Sequence, residues 1–167
     1  MSQSLPDAAL RLSRSGAPAG RPVTGRARRN RRETAAALAA VPLFAGLPKR
    51  HLARLEHLLH GVGGEPGQTV VAEGMLGEAM FVVLGGTARV TRRGRRVGVV
   101  LPGDFFGELS VIDGGPRSAT VAADTDLTVL RLSRPTLRRL IEQDPSISIP
   151  ILVGMVARLR QISRADV

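Results

Sequence analysis

The chain has 167 residues, no cysteine and a formal net charge of +10. Without cysteine it forms neither disulfides nor thiolate metal sites, and a cytoplasmic setting fits. It has no Trp or Tyr and only four Phe, which argues against a base-stacking surface for single-stranded nucleic acid, while 43% hydrophobic content suffices for one globular domain.

The charge is unevenly placed: residues 1–35 hold eight Arg against Asp7 and Glu33. Residues 1–33 mix Ser, Pro, Gly, Ala and Arg without apolar periodicity and read as a disordered, Arg-rich arm. Such an arm is usually solvated; the alternative is electrostatic contact with nucleic acid or an acidic membrane through residues 11–32. Arg28–Arg32 followed by an Ala-rich run has the outline of an export signal, but Glu33 interrupts it and Pro42 breaks it. There is no uninterrupted apolar run of about 18 residues, so no membrane span is expected.

The Ala-rich segment from Thr34 reads as the first helix of a domain over 34–167, followed by a short apolar turn at Val41–Leu47. Pro48–Leu59 reads as a second helix, with Leu52, Leu55, Leu58 and Leu59 at helical spacing. His51, His57 and His60 are placed on this helix as solvated histidines rather than a metal site, because no Cys or carboxylate cluster accompanies them. Gly61-Val62-Gly63-Gly64 reads as a turn, not a nucleotide loop. Short β-rich runs follow at Thr69–Ala72, Ala79–Leu84, Thr87–Thr91, Val97–Leu101, Ala119–Ala122 and Leu127–Leu132, separated by Gly and Pro punctuation. Their even spacing implies a mainly β sandwich or barrel with flanking helices. Arg92–Arg96 forms a basic hairpin tip, read as solvated. Arg134–Ile141 and Asp144–Ile162 read as two further helices, the second with Asp144 as N-cap and Pro145 at its first position. Pro150 implies a kink or a late start there.

Between the runs lies Phe105-Phe106-Gly107-Glu108-Leu109-Ser110-Val111-Ile112-Asp113-Gly114-Gly115-Pro116-Arg117-Ser118-Ala119-Thr120-Val121. Glu108 and Arg117 stand among apolar neighbours, where a lone charge is costly to bury. Either they pair with each other under a hairpin, or a ligand offers a hydroxyl to Glu108 and a phosphate to Arg117.

This stretch resembles the phosphate-binding cassette of the cyclic nucleotide-binding domain family, which includes the catabolite activator protein, cAMP-dependent kinase regulatory subunits and cyclic-nucleotide-gated channels. The likeness runs from about Val41 to about Arg160. It implies a jelly-roll β-barrel over about 61–132 and C-terminal lid helices over about 134–163. It also implies that Gly107, Glu108, Leu109, Arg117, Ser118 and Ala119 contact the ligand. Arg117 would hold a phosphate oxygen in a fork that Lys cannot supply. Backbone N–H groups of Ser118 and Ala119 would add donors, and Glu108 would accept from the ribose 2′-hydroxyl. Ser118 favours cAMP over cGMP, since Thr at this position tends to accompany cGMP in the family. The base would lie on Val70, Phe81, Val83 and Leu109. The last helix has no aromatic residue, so Met155, Arg158 or Leu159 would cap it.

The resemblance therefore implies a bacterial cyclic-nucleotide receptor that signals through its C-terminal helices to an effector protein. It is read as a stand-alone domain, because little chain follows the lid, and as a monomer or weak dimer. No nucleophile–base pair or paired carboxylates appear at a recognisable spacing, so no enzyme activity, cofactor or metal is expected. Two other readings stay open. One is a nucleic-acid-associated regulator that uses the basic arm; the other is a dimerisation scaffold that binds no ligand, against which Glu108 and Arg117 both argue.

Overall fold

The computed structural model describes residues 31–165. Most of the Arg-rich arm lies outside them. Two helices, α1 (Arg31–Ala40) and α2 (Lys49–Leu58), precede eight strands. These are β1 (His60–Gly64), β2 (Thr69–Val71), β3 (Ala79–Gly85), β4 (Ala88–Arg92), β5 (Arg95–Val100), β6 (Phe105–Phe106), β7 (Thr120–Ala123) and β8 (Leu127–Ser133). Helix α3 (Glu108–Asp113) separates β6 from β7, and α4 (Arg134–Gln143) and α5 (Ser148–Ala165) close the fold.

The strands form two four-stranded antiparallel sheets, ordered β1-β8-β3-β6 and β2-β7-β4-β5. This is a jelly-roll arrangement, and β3 shows how the sequence specifies it. Six of its seven residues are buried, because both of its faces are covered. Phe81 and Val83 point between the sheets, where they meet Val71, Val100, Phe106, Val121 and Val129. Met80, Val82 and Leu84 point the other way, into a second core with Leu38, Phe44, Leu55, Leu140 and Ile147. Strand β8 divides itself similarly, with Leu127 and Val129 in the first core and Leu130 and Leu132 in the second. Side chains alternate across a strand, so one uninterrupted apolar run serves two cores.

The segment Gly61–Gly64 is a strand and not a turn. Its residues pair with Leu127–Leu130 of β8, and that ladder compensates for the poor strand propensity of glycine. Helix α2 ends at Leu58, Leu59 is extended, and His60 opens β1 opposite Arg131, so His60 is not helical. His51 is not solvated. It is 2% exposed, on the face of α2 that also buries Leu52 and Leu55. Its Nε2 lies 3.1 Å from Asp144 Oδ2. No cluster of potential metal ligands occurs among the described residues.

Ser133 caps α4, its hydroxyl accepting from the Thr136 N–H. Asp144 accepts from the Ser146 N–H and hydroxyl at a 3₁₀ turn over Pro145–Ile147. Those bonds hold its carboxyl below the usual carboxylate range, with His51 and Arg50 adding to the effect. Helix α5 then starts late, at Ser148, which leaves Pro150 in the first turn where no intrahelical N–H bond is lost. No single helix among the described residues is long and apolar enough to cross a membrane.

Helix α5 is seated by Ile147 and Ile151 in the helical core and by a close approach at Gly154. A Cβ at Gly154 would lie 2.5 Å from the Pro42 carbonyl oxygen and 2.6 Å from Leu43 Cα. In an open helix Gly→Ala stabilises by about 1 kcal/mol. Here the added methyl meets backbone, so Gly154→Ala should destabilise by about 1–3 kcal/mol in urea unfolding. A gain in stability would show that α5 does not pack this closely.

Candidate functional site

A small cleft of about 90 Å³, partly open to solvent, lies beside α3. The short helix is bounded by Gly107 and Gly114, both left-handed, with φ of 80° and 76°. That conformation favours glycine and lets the chain turn sharply into and out of α3. Val71, Val90, Val100, Phe106 and Val121 form the apolar wall, and Glu108, Arg117, Ser118 and Arg158 supply the polar groups.

Arg117 is only 7% exposed. Its Nη1 donates to the Gly107 carbonyl at 2.8 Å and its Nη2 to the Ala79 carbonyl at 2.6 Å. Desolvation lowers its pKa, the nearby Glu108 charge opposes that, and Arg131 adds to the lowering. A guanidinium nevertheless stays protonated, so a buried positive charge faces the cleft wall. Two glycines make room for it. A Cβ at Gly77 would lie 2.2 Å from Arg117 Cζ, and one at Gly107 would lie 2.5 Å from Nη1.

Glu108 is 5% exposed and does not take Arg117 as its ion-pair partner. Its Oε1 lies 3.1 Å from Nε of Arg158, which reaches down from α5. The Arg158 guanidinium also sits over the Phe105 ring, 4.4 Å from its centroid. The reading in which Glu108 and Arg117 simply pair therefore fails. Each charge is held by a different part of the fold.

Gly107, Glu108, Leu109, Arg117, Ser118 and Ala119 all line the cleft. Phe81 and Val83 do not. They lie in the core between the sheets, where Phe81 stacks on Phe106 at 5.1 Å and only Phe106 reaches the cleft. Val70 is likewise a core residue, while its neighbour Val71 lines the cleft. Of the three lid candidates, Arg158 reaches the cleft, Met155 packs on the helical core and Leu159 is 57% exposed. Besides Ser110 of α3, sequence reasoning passed over Val71, Val90, Val100, Phe106 and Val121, all on strands. Their signal was the period-2 alternation of their strands, which turns every second side chain inward.

The sequence profile of the cyclic nucleotide-binding domain matches residues 64–144. The N-terminal domain of a transcriptional regulator from Streptomyces coelicolor superposes with a TM-score of 0.67 and 32% identity, over 77% of this chain and 96% of that one. The chain belongs to the cyclic nucleotide-binding domain family. It is 33% identical over 129 residues, 74% of its length, to a CRP-like cAMP-activated global transcriptional regulator of Mycobacterium tuberculosis. It is also 35% identical over 65% of its length to a cAMP-dependent protein kinase regulatory subunit of Yarrowia lipolytica. It spans 58% of the first relative and 32% of the second. The regulatory domain of Toxoplasma gondii PKA, crystallised with cAMP, superposes with a TM-score of 0.65 and 27% identity, over 70% of this chain and 46% of that one. The chain is thus a cyclic nucleotide-binding regulatory domain homologous to such regulators and regulatory subunits.

The glycine slot gives a test of how Arg117 is held. The backbone at Gly77 is not in the left-handed region, and an added methyl meets the Arg117 side chain. Gly77→Ala should displace the guanidinium from its two carbonyl partners, lower stability by about 1–3 kcal/mol in urea unfolding and weaken nucleotide binding by about tenfold or more. Equal affinity in the variant would mean that Arg117 can rearrange without cost.

Proposed function

We propose that this domain is a receptor for a cyclic nucleotide, with cAMP preferred to cGMP, and that it carries out no catalytic step. The observation that carries this reading is Arg117, a buried cation held by two carbonyl oxygens and by no carboxylate, beside a partly open cleft. A cyclic phosphate supplies the missing negative charge, and the guanidinium fork holds it through charge-assisted hydrogen bonds. Backbone N–H groups of Ser118 and Ala119 add donors. Glu108 Oε2 accepts from the ribose 2′-hydroxyl while Oε1 stays with Arg158. The base lies against Val71, Val90 and Val100.

Signalling follows from who holds Glu108. Arg158 belongs to α5, so a ligand that draws in α3 and its carboxylate also moves the far end of that helix. A ligand shifts an equilibrium only through contacts that differ between two states, and the Glu108–Arg158 pair is such a contact. The output passes from α5 to an effector protein. The preference for cAMP is supported by Ser118 and by the cAMP named for the mycobacterial, fungal and Toxoplasma relatives. Relatives that are transcriptional regulators favour one second reading, in which the output is to DNA.

Calorimetric titration of the chain with cAMP and then cGMP tests the reading. Micromolar or tighter binding of cAMP is expected, about −8 kcal/mol or more favourable. Arg117→Ala removes a buried charged partner, which typically costs 2 kcal/mol or more, so affinity should fall by at least about 30-fold with the fold retained. Absence of heat with both nucleotides would overturn the assignment.

A further inference from the structure

We propose that the β4–β5 hairpin is a docking surface for an extended, acidic segment of a partner protein, which adds as a strand to the free edge of β5. The inference makes no use of the nucleotide cleft, into which Val90 and Val100 of the same hairpin turn. It rests on three features of one hairpin: unpaired charge, an open edge and an exposed apolar row.

The charge comes first. Arg93 and Gly94 form a two-residue turn in which both are left-handed, with φ of 50° and 74°. Arg92 precedes that turn, and Arg95 and Arg96 follow it. The nearby carboxylates neutralise the stem but not the tip. Asp124 takes Arg89 at 2.5 Å and Arg96 at 3.5 Å, while Glu73 accepts from the backbone N–H of Arg93, not its side chain. Arg92, Arg93 and Arg95 are exposed and have no ion pair among the described residues. The chain cannot easily provide the missing anion itself, since residues 1–35 are Arg-rich too.

The edge comes second. Strand β5 is the last of its sheet and bonds only to β4, so its outer side presents unpaired backbone groups. A bulge opposite Val90 and Thr91 leaves Val97 as an extra residue. Arginines and a bulge on an edge strand also serve to repel unwanted pairing. An edge built only to repel would not keep Val97, Val99 and Leu101 at 60%, 42% and 50% exposure.

These three side chains decide the class of partner. Nucleic acid would satisfy the arginines but has no use for the apolar row, and no aromatic side chain is present to stack on a base. A lipid surface could take up both, but the row runs away from the tip. Leu101 lies about 20 Å along the strand from Arg95 at roughly 3.3 Å per residue. A membrane that met the arginines would leave most of the row in water. An added strand covers both, with carboxylates near the turn and apolar side chains beside Val97–Leu101, and main-chain hydrogen bonds supply the affinity.

The probe is a fluorescein-labelled, end-blocked peptide, acidic at one end and alternating Val and Thr along the other, made in both sequence directions. Anisotropy at low salt should show saturable binding of one direction by the full chain, weaker at high salt. The triple variant R92Q/R93Q/R95Q should lose about tenfold in affinity, given a few tenths to 1 kcal/mol per exposed pair. A version of the peptide carrying prolines at alternate positions, which cannot donate to the β5 edge, should not bind. Bound peptide should slow amide hydrogen exchange in residues 95–101. Equal binding of the proline peptide, undiminished binding by the triple variant, or binding of phosphatidylglycerol vesicles or a DNA duplex in place of the peptide would overturn the proposal.

Discussion

A guanidinium buried without a carboxylate is the constraint around which this domain is arranged. Burial of Arg117 disfavours its charge, yet an arginine does not shed its proton. The fold must therefore bring acceptors to it. It does so with two main-chain carbonyls, one at the start of β3 and one at the N-terminal cap of α3. Those bonds tie three separate segments together: the loop before β7 that carries Arg117, the central strand β3 and the cassette helix. Glycine at positions 77 and 107 is the steric condition for that arrangement, because any side chain there would occupy the space of the guanidinium. Carbonyl oxygens bear only partial charge, so they hold the cation without cancelling it. An anion arriving at the cleft still meets a positive field.

The second buried charge is treated differently. Glu108 is compensated by Arg158, whose side chain is 29% exposed and whose helix is joined to the rest by separate contacts. The proximal half of α5 is fixed in the helical core by Ile147, Ile151 and the close contact at Gly154. Farther along, Arg158 pairs with Glu108 and lies over Phe105. Ile149, Leu152, Val153, Val156 and Leu159 are exposed. Among the described side chains, the apolar contacts of α5 lie toward its start and these polar ones farther along. The junction below it is pinned by Asp144, which binds Ser146 on one side and the buried His51 on the other.

Much of this was legible in the sequence, and the exceptions share a cause. The cassette could be read because its constraints are local: glycine at a left-handed cap, two charges in an apolar run, a turn between them. Strand β3 could be read because a doubly buried strand is continuously apolar, and β8 because most of its residues are β-branched or apolar. Strand β1 could not, because His60-Gly61-Val62-Gly63-Gly64 has no strand propensity of its own and is extended only because β8 lies alongside it. The burial of His51 was hidden for the same reason, since its partner Asp144 is 93 positions away in sequence. Phe81 and Val83 lie in the same layer between the sheets as the cleft's apolar wall but do not line the cleft. The cleft is lined instead by strands β4, β5 and β7 and by Phe106, and sequence alone does not say which sheet curves over α3.

Helix α5 shows the limit most clearly. Met155, Arg158 and Leu159 are within four positions of one another, and helical periodicity puts 158 and 159 on opposite sides of 155, about 100° apart. Which of them meets the cleft depends on how α5 is rolled about its axis. That roll is set at Gly154, where the backbone of α5 touches Pro42 and Leu43. Met155 is then directed into the core, Arg158 over Phe105 toward Glu108, and Leu159 to solvent. A glycine in a turn before the barrel's first strand would attract notice for its dihedral angles. Gly154 has an ordinary helical conformation, and its role lies only in what touches it. The same glycine that denies α5 some intrinsic helix stability thus fixes which side chain reaches the cleft, a charged one rather than an apolar one.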